Sequence, residues 1–336
     1  MTLATLGNWG VYGHDWAVDH LRRGILNDRI RQAYLIIGME SVGKETLAKA
    51  FIAAMLCTDP DPACRPCGQC SACRRIVSGN HPDMLFAEKE GDDHALKIDA
   101  IRALMGRLAL KPFEGRYRFG IFPDFDQIRP QAQDALLKTL EEPAPHAILI
   151  LMARTIESVL PTITSRSQIL HLRPAAIAEV ETVLRAQPGV DADKVPLWAH
   201  LSGGRIGWAL RAAHDPEALT QRTAGIDLLE AILRGNRTMR FNKAADLAKD
   251  KDALATLLTL WQSYWRDALL IGYDAPMTAA NIDREDALRD LALSTAPEDI
   301  LKALQATNRL LDRLPTNINL RLALEVTLLD YPGLVR

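Results

Sequence analysis

The sequence predicts an α/β domain built on a parallel sheet, followed by an all-helical region. Three observations carry that prediction. Short β-rich runs alternate with helical patterns through the first half, a phosphate-loop motif follows the first of those runs, and from Pro174 onward the patterns are helical.

The β-rich runs are AYLIIG (33–38), DMLFAE (83–88), RFGIF (118–122), AILILMA (147–153) and SQILHL (167–172). Helical stretches separate them, as crossover connections between parallel strands require. Directly after the first run, residues 38–46 read GMESVGKET, which sets Gly38, Gly43 and Lys44 at the spacing of a loop that cradles nucleotide phosphates. Leu47, Ala50, Phe51 and Ala54 then recur at helical spacing, so strand, loop and helix follow in the order a nucleotide site needs. DALLKTLEEP (134–143) reads as a helix with leucines and alanines at core spacing, ended by Pro143, with Glu141 and Glu142 as solvated acids.

Beyond Pro174 a short helical segment closes with LSGGRIGWAL (201–210), and longer helices begin after Asp215 and Pro216. Leu254, Leu257, Leu258, Trp261, Trp265 and Leu269 form one apolar stripe, and Thr295 with Glu298 fits a capping box. NINLRLALEVTLLDYP (317–332) carries leucines on more than one face, the pattern of a helix buried between neighbours in its own domain or against another subunit.

A chain of 336 residues is too long for one ordinary core and suggests two or three domains. With 48% hydrophobic and 24% charged residues it has a globular composition. A net charge of -2 gives no global footprint for nucleic acid or anionic membrane, so any DNA contact must be local. The opening MTLATLGNWGVYGHD has neither the basic segment nor the apolar stretch of a secretory signal. The longest apolar run, AILILMA, falls far short of the roughly 20 residues that span a bilayer. A cytoplasmic protein without membrane contact is expected.

All five cysteines lie between 57 and 73. An odd number clustered in one short stretch reads as a metal site rather than a disulfide framework. Cys64, Cys67, Cys70 and Cys73 follow one another at two-residue intervals, a spacing at which tight turns aim thiolates at one ion, and four thiolates suit tetrahedral zinc. An iron-sulfur cluster is the chief competitor. Cys57 and Cys64 compete for the fourth place: Cys57 would tie the excursion to the domain body, whereas Cys64 would close a small self-contained knot.

The nucleotide motif is damaged in two places. Glu45 occupies the position after Lys44 that normally supplies a Ser or Thr hydroxyl to magnesium, and Thr46, one step along the helix, is turned away by roughly 100°. Where a later strand should end in a magnesium-binding aspartate, RFGIFPDFDQI (118–128) has Pro123, with Asp124 next. Two magnesium positions have changed independently, so the sequence predicts a loop that binds phosphate weakly or supports the fold, with little or no hydrolysis.

LPTITSRSQILHL (160–172) places Ser165 and Arg166 just before a strand. Taken alone, such an arginine is a solvated charge or a helix cap. In an oligomeric ATPase, an arginine so placed and presented to the next subunit stabilises charge on the transferring phosphoryl group.

Taken in order, LIIGMESVGKETLA, PCGQCSAC, NHPDM, DALLKTLEEP and LPTITSRSQ resemble the bacterial clamp-loader subunits of DNA polymerase III, over residues 1 to about 174, and NINLRLALE resembles that group's collar. Within the family, gamma/tau subunits keep intact magnesium motifs. Delta-prime subunits often have degraded ones yet retain a Ser-Arg-Cys finger motif. This chain is similar to the delta-prime branch, with Ser167 in place of the cysteine.

The resemblance implies an α/β P-loop AAA+ domain over 1–174 with a zinc-binding excursion at about 57–73, a small helical lid over 175–214 and an all-α collar over 215–336. It implies a hetero-pentamer with gamma/tau and delta that loads a sliding clamp onto primed DNA, as part of a DNA-directed DNA polymerase holoenzyme. The chain itself would be no active ATPase; it would supply Arg166 in trans. A degenerate phosphate loop of Gly38, Gly43, Lys44, Glu45 and Thr46 would be its own ATP-binding remnant. The zinc ligands map to Cys57, Cys67, Cys70 and Cys73, with Cys64 the alternative to Cys57. Arg116 and Arg118, beside Tyr117, read as surface-paired charges or as contacts to DNA phosphate. Two other readings compete: a gamma/tau-like motor in which Glu45 and Asp124 replace the magnesium ligands, and a zinc-stabilised regulator outside replication.

Overall fold

The computed structural model describes residues 9–87, 98–276 and 278–333. They form two compact units, one of Met1–Val183 with Gly204–Trp208 and the other of Leu184–Gly203 with Ala209–Arg336.

The first unit is built on five parallel strands: β1 (Ala33–Ile37), β2 (Met84–Phe86), β3 (Arg118–Phe122), β4 (Ala147–Ala153) and β5 (Gln168–His171). They lie within the five apolar runs; of the run at 83–88, residue 88 lies outside the described residues. The sheet order is β2-β3-β4-β1-β5. Every residue of β1 and β4 is buried, because helices cover both faces of a parallel sheet. Alternation along β1 divides the core. Tyr34 and Ile36 pack with Phe51, Phe119 and Ile148, while Leu35 and Ile37 pack with Leu104, Phe122 and Leu149 on the other side.

Three helices matter for the site: α1 (Asp15–Leu26), α2 (Lys44–Leu56) and α3 (Ser71–Val77). α2 leaves the loop after β1 and is alanine-rich and buried over most of its surface. The segment 134–143 is not one regular helix. A 3-10 turn at Asp134–Leu136 precedes a short α-helix at Leu137–Glu141.

In the second unit, helices Ala218–Arg234, Arg237–Leu247, Lys251–Gly272 and Pro297–Arg313 surround a core of Trp261, Trp265 and Tyr331, with Tyr331 edge-on to both indoles at 6.2 and 5.0 Å. The stripe read from Leu254 to Leu269 supplies this core. The guanidinium of Arg240, 6% exposed, donates to the carbonyls of Leu328, Tyr331 and Pro332 at 2.7 to 2.8 Å and to that of Ile232 at 3.2 Å. It caps carbonyls at two helix ends from one point.

One helix expectation changes here. The Thr295–Glu298 box does not form, because Pro297 takes the first helical position and makes Ala296 the N-cap, without a side-chain bond. Helix Leu320–Leu329 is buried along one face through Leu324 and Leu328, while Leu322 and Val326 on the other are 57% and 55% exposed. Among the described residues no helix is long and apolar enough to cross a membrane.

Candidate functional site

The phosphate loop leaves the carboxyl end of β1, where the neighbouring strands β4 and β5 lead to different parts of the chain; such a crevice is where ligands settle in open α/β sheets. Two glycines are required there. A Cβ on Gly38 would lie 2.7 Å from the Leu172 carbonyl oxygen, and Gly43 holds φ +115° as the N-cap of α2.

The loop's polar groups are turned inward on one another. Lys44 Nζ donates to the carbonyls of Gly38 at 2.6 Å and Met39 at 3.0 Å. Burial pushes its pKa below the ordinary lysine value, opposed chiefly by the nearby charge of Asp126. Glu45 points along α2 to Lys49 at 2.7 Å, and Thr46 beside it is exposed. Pro123 follows β3 and has no side-chain oxygen to offer a cation.

Sequence reasoning missed three residues around this loop. Arg154, at the end of β4, faces Glu40 and Asp126 at 3.7 Å each. Asp126, rather than the neighbouring Asp124, is the strongest carboxylate influence on Lys44. His14, 1% exposed, donates from Nε2 to the Val42 carbonyl at 2.9 Å and so clamps the loop to the start of α1. Only the sheet order signals the first two, since β3, β4 and β1 are neighbours in space and not in sequence.

Arg166 stands at the opposite end of the sheet. It precedes Gln168, the first residue of β5, which pairs with Tyr34 near the amino end of β1. The four steps from Ala33 to Ile37 span about 13 Å at the usual rise per strand residue. Arg166 therefore cannot reach the loop beyond Ile37. Its guanidinium donates to Glu141 Oε1 at 2.9 Å and to the Thr162 carbonyl at 3.0 Å, and its side chain is 38% exposed. Arg116 and Arg118 are both placed near acids, Arg116 3.4 Å from Asp28 and Arg118 3.9 Å from the buried Asp83.

Four cysteines converge. The Sγ atoms of Cys57, Cys67, Cys70 and Cys73 all lie within 4.8 Å of one another. Cys57 ends α2, Cys70 is the N-cap of α3, and Cys73 sits in that helix's first turn. Backbone N–H groups point at the sulfurs: Cys67 donates to Cys57 at 3.4 Å, Cys70 to Cys67 at 3.3 Å and Cys73 to Cys70 at 3.4 Å. Burial alone would raise the Cys70 thiol, but hydrogen bonds from Thr58 and Cys73 outweigh it and bring its pKa down to about 6. Cys64 stands apart, exposed, its thiol donating to Asp61 at 3.4 Å.

This donor set fits a metal ion. A tetrahedron of sulfurs at zinc-thiolate bond lengths has edges of about 3.8 Å, and Cys57 and Cys70 already lie 3.9 Å apart. The loop between them is tied to the core as well, for Trp9 Nε1 donates to the Arg65 carbonyl at 3.1 Å and Arg65 Nε to that of Asp59 at 2.7 Å.

Comparison with known proteins matches residues 13–176 to the family described as DNA polymerase III, delta subunit. DNA polymerase III subunit delta' of Pseudomonas aeruginosa is 32% identical over 204 residues, 60% of this chain and 61% of that protein, so the match spans less than two thirds of that relative. The Bacillus subtilis delta' subunit is 26% identical over 90% of this chain and 91% of its own. The tau subunit of Salmonella typhimurium is 26% identical over 95% of this chain and 52% of its own. The family match begins just ahead of α1 and closes just after β5, and the likeness to DNA polymerase III delta' subunits extends beyond it into the second unit.

Proposed function

We propose that the chain is a clamp-loader stator: it hydrolyses little or no ATP itself and supplies Arg166 to the nucleotide of an adjacent gamma/tau subunit. One observation carries this reading. Arg166 lies at the far end of β1 and β5 from the chain's own phosphate loop, so any phosphoryl group it stabilises belongs to another subunit. An arginine delivered in this way neutralises charge on the transferring phosphoryl group through a bidentate, permanently charged guanidinium.

The chain's own loop supports the same division of labour. Lys44 is engaged with loop carbonyls, Glu45 with Lys49, and Pro123 offers no ligand, so ATP held there would lack the usual magnesium shell. A motor reading needs Glu45 and Asp124 to replace the magnesium ligands, but Glu45 is paired with Lys49 at 2.7 Å.

Zinc is the ion we assign to Cys57, Cys67, Cys70 and Cys73; in a closed four-thiolate set it supplies cross-linking and no chemistry. Residues 175–214 serve as the lid and 215–336 as the collar that joins gamma/tau and delta in a five-membered ring. Sliding clamp and primed DNA are the ring's substrates.

The test is ATP turnover and clamp loading by the reconstituted complex, with wild-type chain, with Arg166→Ala and with the chain alone. The expected result is no turnover alone, and a partial loss on Arg166→Ala in a complex that still assembles. Robust turnover by the chain alone would sink the stator and establish a motor.

A further inference from the structure

Two adjoining cavities, of about 470 and 460 Å³, open on the end of the first unit that carries Arg166. Arg31 and Gln168 line both. Arg166 and Ser165 line the first, and His20, Arg23 and Arg29 line the second. Among the described residues neither wall contains a carboxylate. In a chain of net charge -2 this is a local concentration of cations, and both volumes are in the range of small-ligand sites.

The two central arginines differ. Arg166 is bound to Glu141 and must leave that carboxylate to meet an anion. Among the described residues Arg31 makes no ion pair with a carboxylate. Its backbone is fixed, since its N–H donates at 3.0 Å to the hydroxyl of Tyr34, which is 3% exposed.

We propose that Arg31 is a second binding cation for the nucleotide to which Arg166 is presented, the two arginines forming one receptor for the polyphosphate chain held by an adjacent subunit. This rests on the reading that Arg166 acts in trans. In the neighbour's reaction water attacks the γ-phosphorus, the bond to the β,γ-bridging oxygen breaks, and ADP and phosphate leave. Arg31 takes no part in the bond changes and contributes charge alone. Because its charge needs no release from a partner, it acts on the ground state as well as the transition state, and its loss appears mainly in KM. Arg166, released only on engagement, appears mainly in kcat.

The experiment is ATP turnover by the reconstituted complex, measured across ATP concentrations with clamp and primed DNA saturating. The chains compared are wild type, Arg31→Gln, Arg31→Lys, Arg166→Ala and, as a control, Arg102→Gln, an exposed arginine near Asp99 on another helix. Arg31→Gln is expected to raise KM for ATP about ten-fold, the loss of one charge-assisted contact, with kcat changed less. Arg31→Lys restores part of the loss, and Arg102→Gln behaves as wild type.

An unchanged KM in Arg31→Gln, beside a loss in Arg166→Ala, overturns the role of Arg31 and leaves Arg166 standing. A loss in Arg31→Gln with none in Arg166→Ala rejects the trans-acting arginine and with it the two-arginine receptor. Dissociation of the Arg31→Gln complex, read from its mass, or a change in primed-DNA affinity without one in KM for ATP, assigns the cavity to a subunit contact or to nucleic acid and also overturns the proposal.

Discussion

Arg166 and Glu141 form an ion pair of 2.9 Å, the carboxylate coming from the broken helical segment after β3 and the guanidinium from the turn before β5. With side chains 38% and 53% exposed, the pair is worth about 1 kcal/mol at most. Its effect is on where the arginine rests. Glu141→Gln is expected to shift the melting temperature by no more than about 3 °C. In the reconstituted complex it should leave turnover equal or raise it by up to about three-fold, since the arginine no longer leaves a carboxylate. A marked fall in turnover would show that Glu141 positions the guanidinium rather than restrains it.

Metal content separates the four converging cysteines from the fifth. Purified protein is expected to carry about one zinc per chain, lost in Cys57→Ser and kept in Cys64→Ser. Chelation should open the loop at 58–66 to limited proteolysis, because the ion would add four bonds to the weaker contacts between the end of α2 and α3. Iron and a visible charge-transfer band would replace zinc with a cluster.

Asp83 gives the first unit an acid-sensitive joint. Fully buried, it accepts N–H bonds from Phe113 at 2.6 Å, Glu114 at 2.9 Å and Gly115 at 3.1 Å. Burial alone would raise its pKa, but the three donors outweigh burial and hold it below the ordinary carboxylate value. A depressed folded-state pKa means that the stabilisation is present above the unfolded value of about 3.9 and is lost as pH falls through the folded one. Denaturant melts between pH 3 and 7, at roughly half-unit steps, should show Asp83→Asn less stable at neutrality by about 2 kcal/mol, with the gap narrowing in acid. A gap constant with pH would refute the charge as the cause.

Arg240 holds the second unit's helix ends. Replacing it by Ala leaves buried carbonyls without donors and should cost about 3 kcal/mol or more, read as a lower denaturant midpoint. Arg240→Lys should recover only part, because one ammonium cannot reproduce the planar fork that spans these acceptors.

How much was legible depended on whether the signal was local. All five strands lie within runs visible in the sequence, most plainly β1 and β4, where burial on both faces writes a strand as continuous apolar residues. Cys57 was a candidate because it ends the phosphate-loop helix, the family resemblance favoured it over Cys64, and the fold brings its sulfur to the other three. The capping box was misread, since Pro297 takes the first helical position and leaves Ala296, which has no capping side chain, as the N-cap. Asp126, Arg154 and His14 were not legible at all. They meet at the phosphate loop through sheet order and the docking of α1, and no spacing along the chain encodes that. Arg31 was equally silent, since one arginine in a run of several says nothing about which carboxylates fold away from it.

Strand β1 has a consequence for how such chains are arranged. One rigid five-residue rod ends in a receiving loop on one side and in the arginine-bearing surface on the other. A subunit that passes charge from one end of this rod and receives it at the other gives a row of subunits a direction, like the arrow on a one-way street. Under the stator role proposed above, with Lys44 and Glu45 engaged inside the receiving loop, such a chain is a place where that traffic starts and never a place through which it passes.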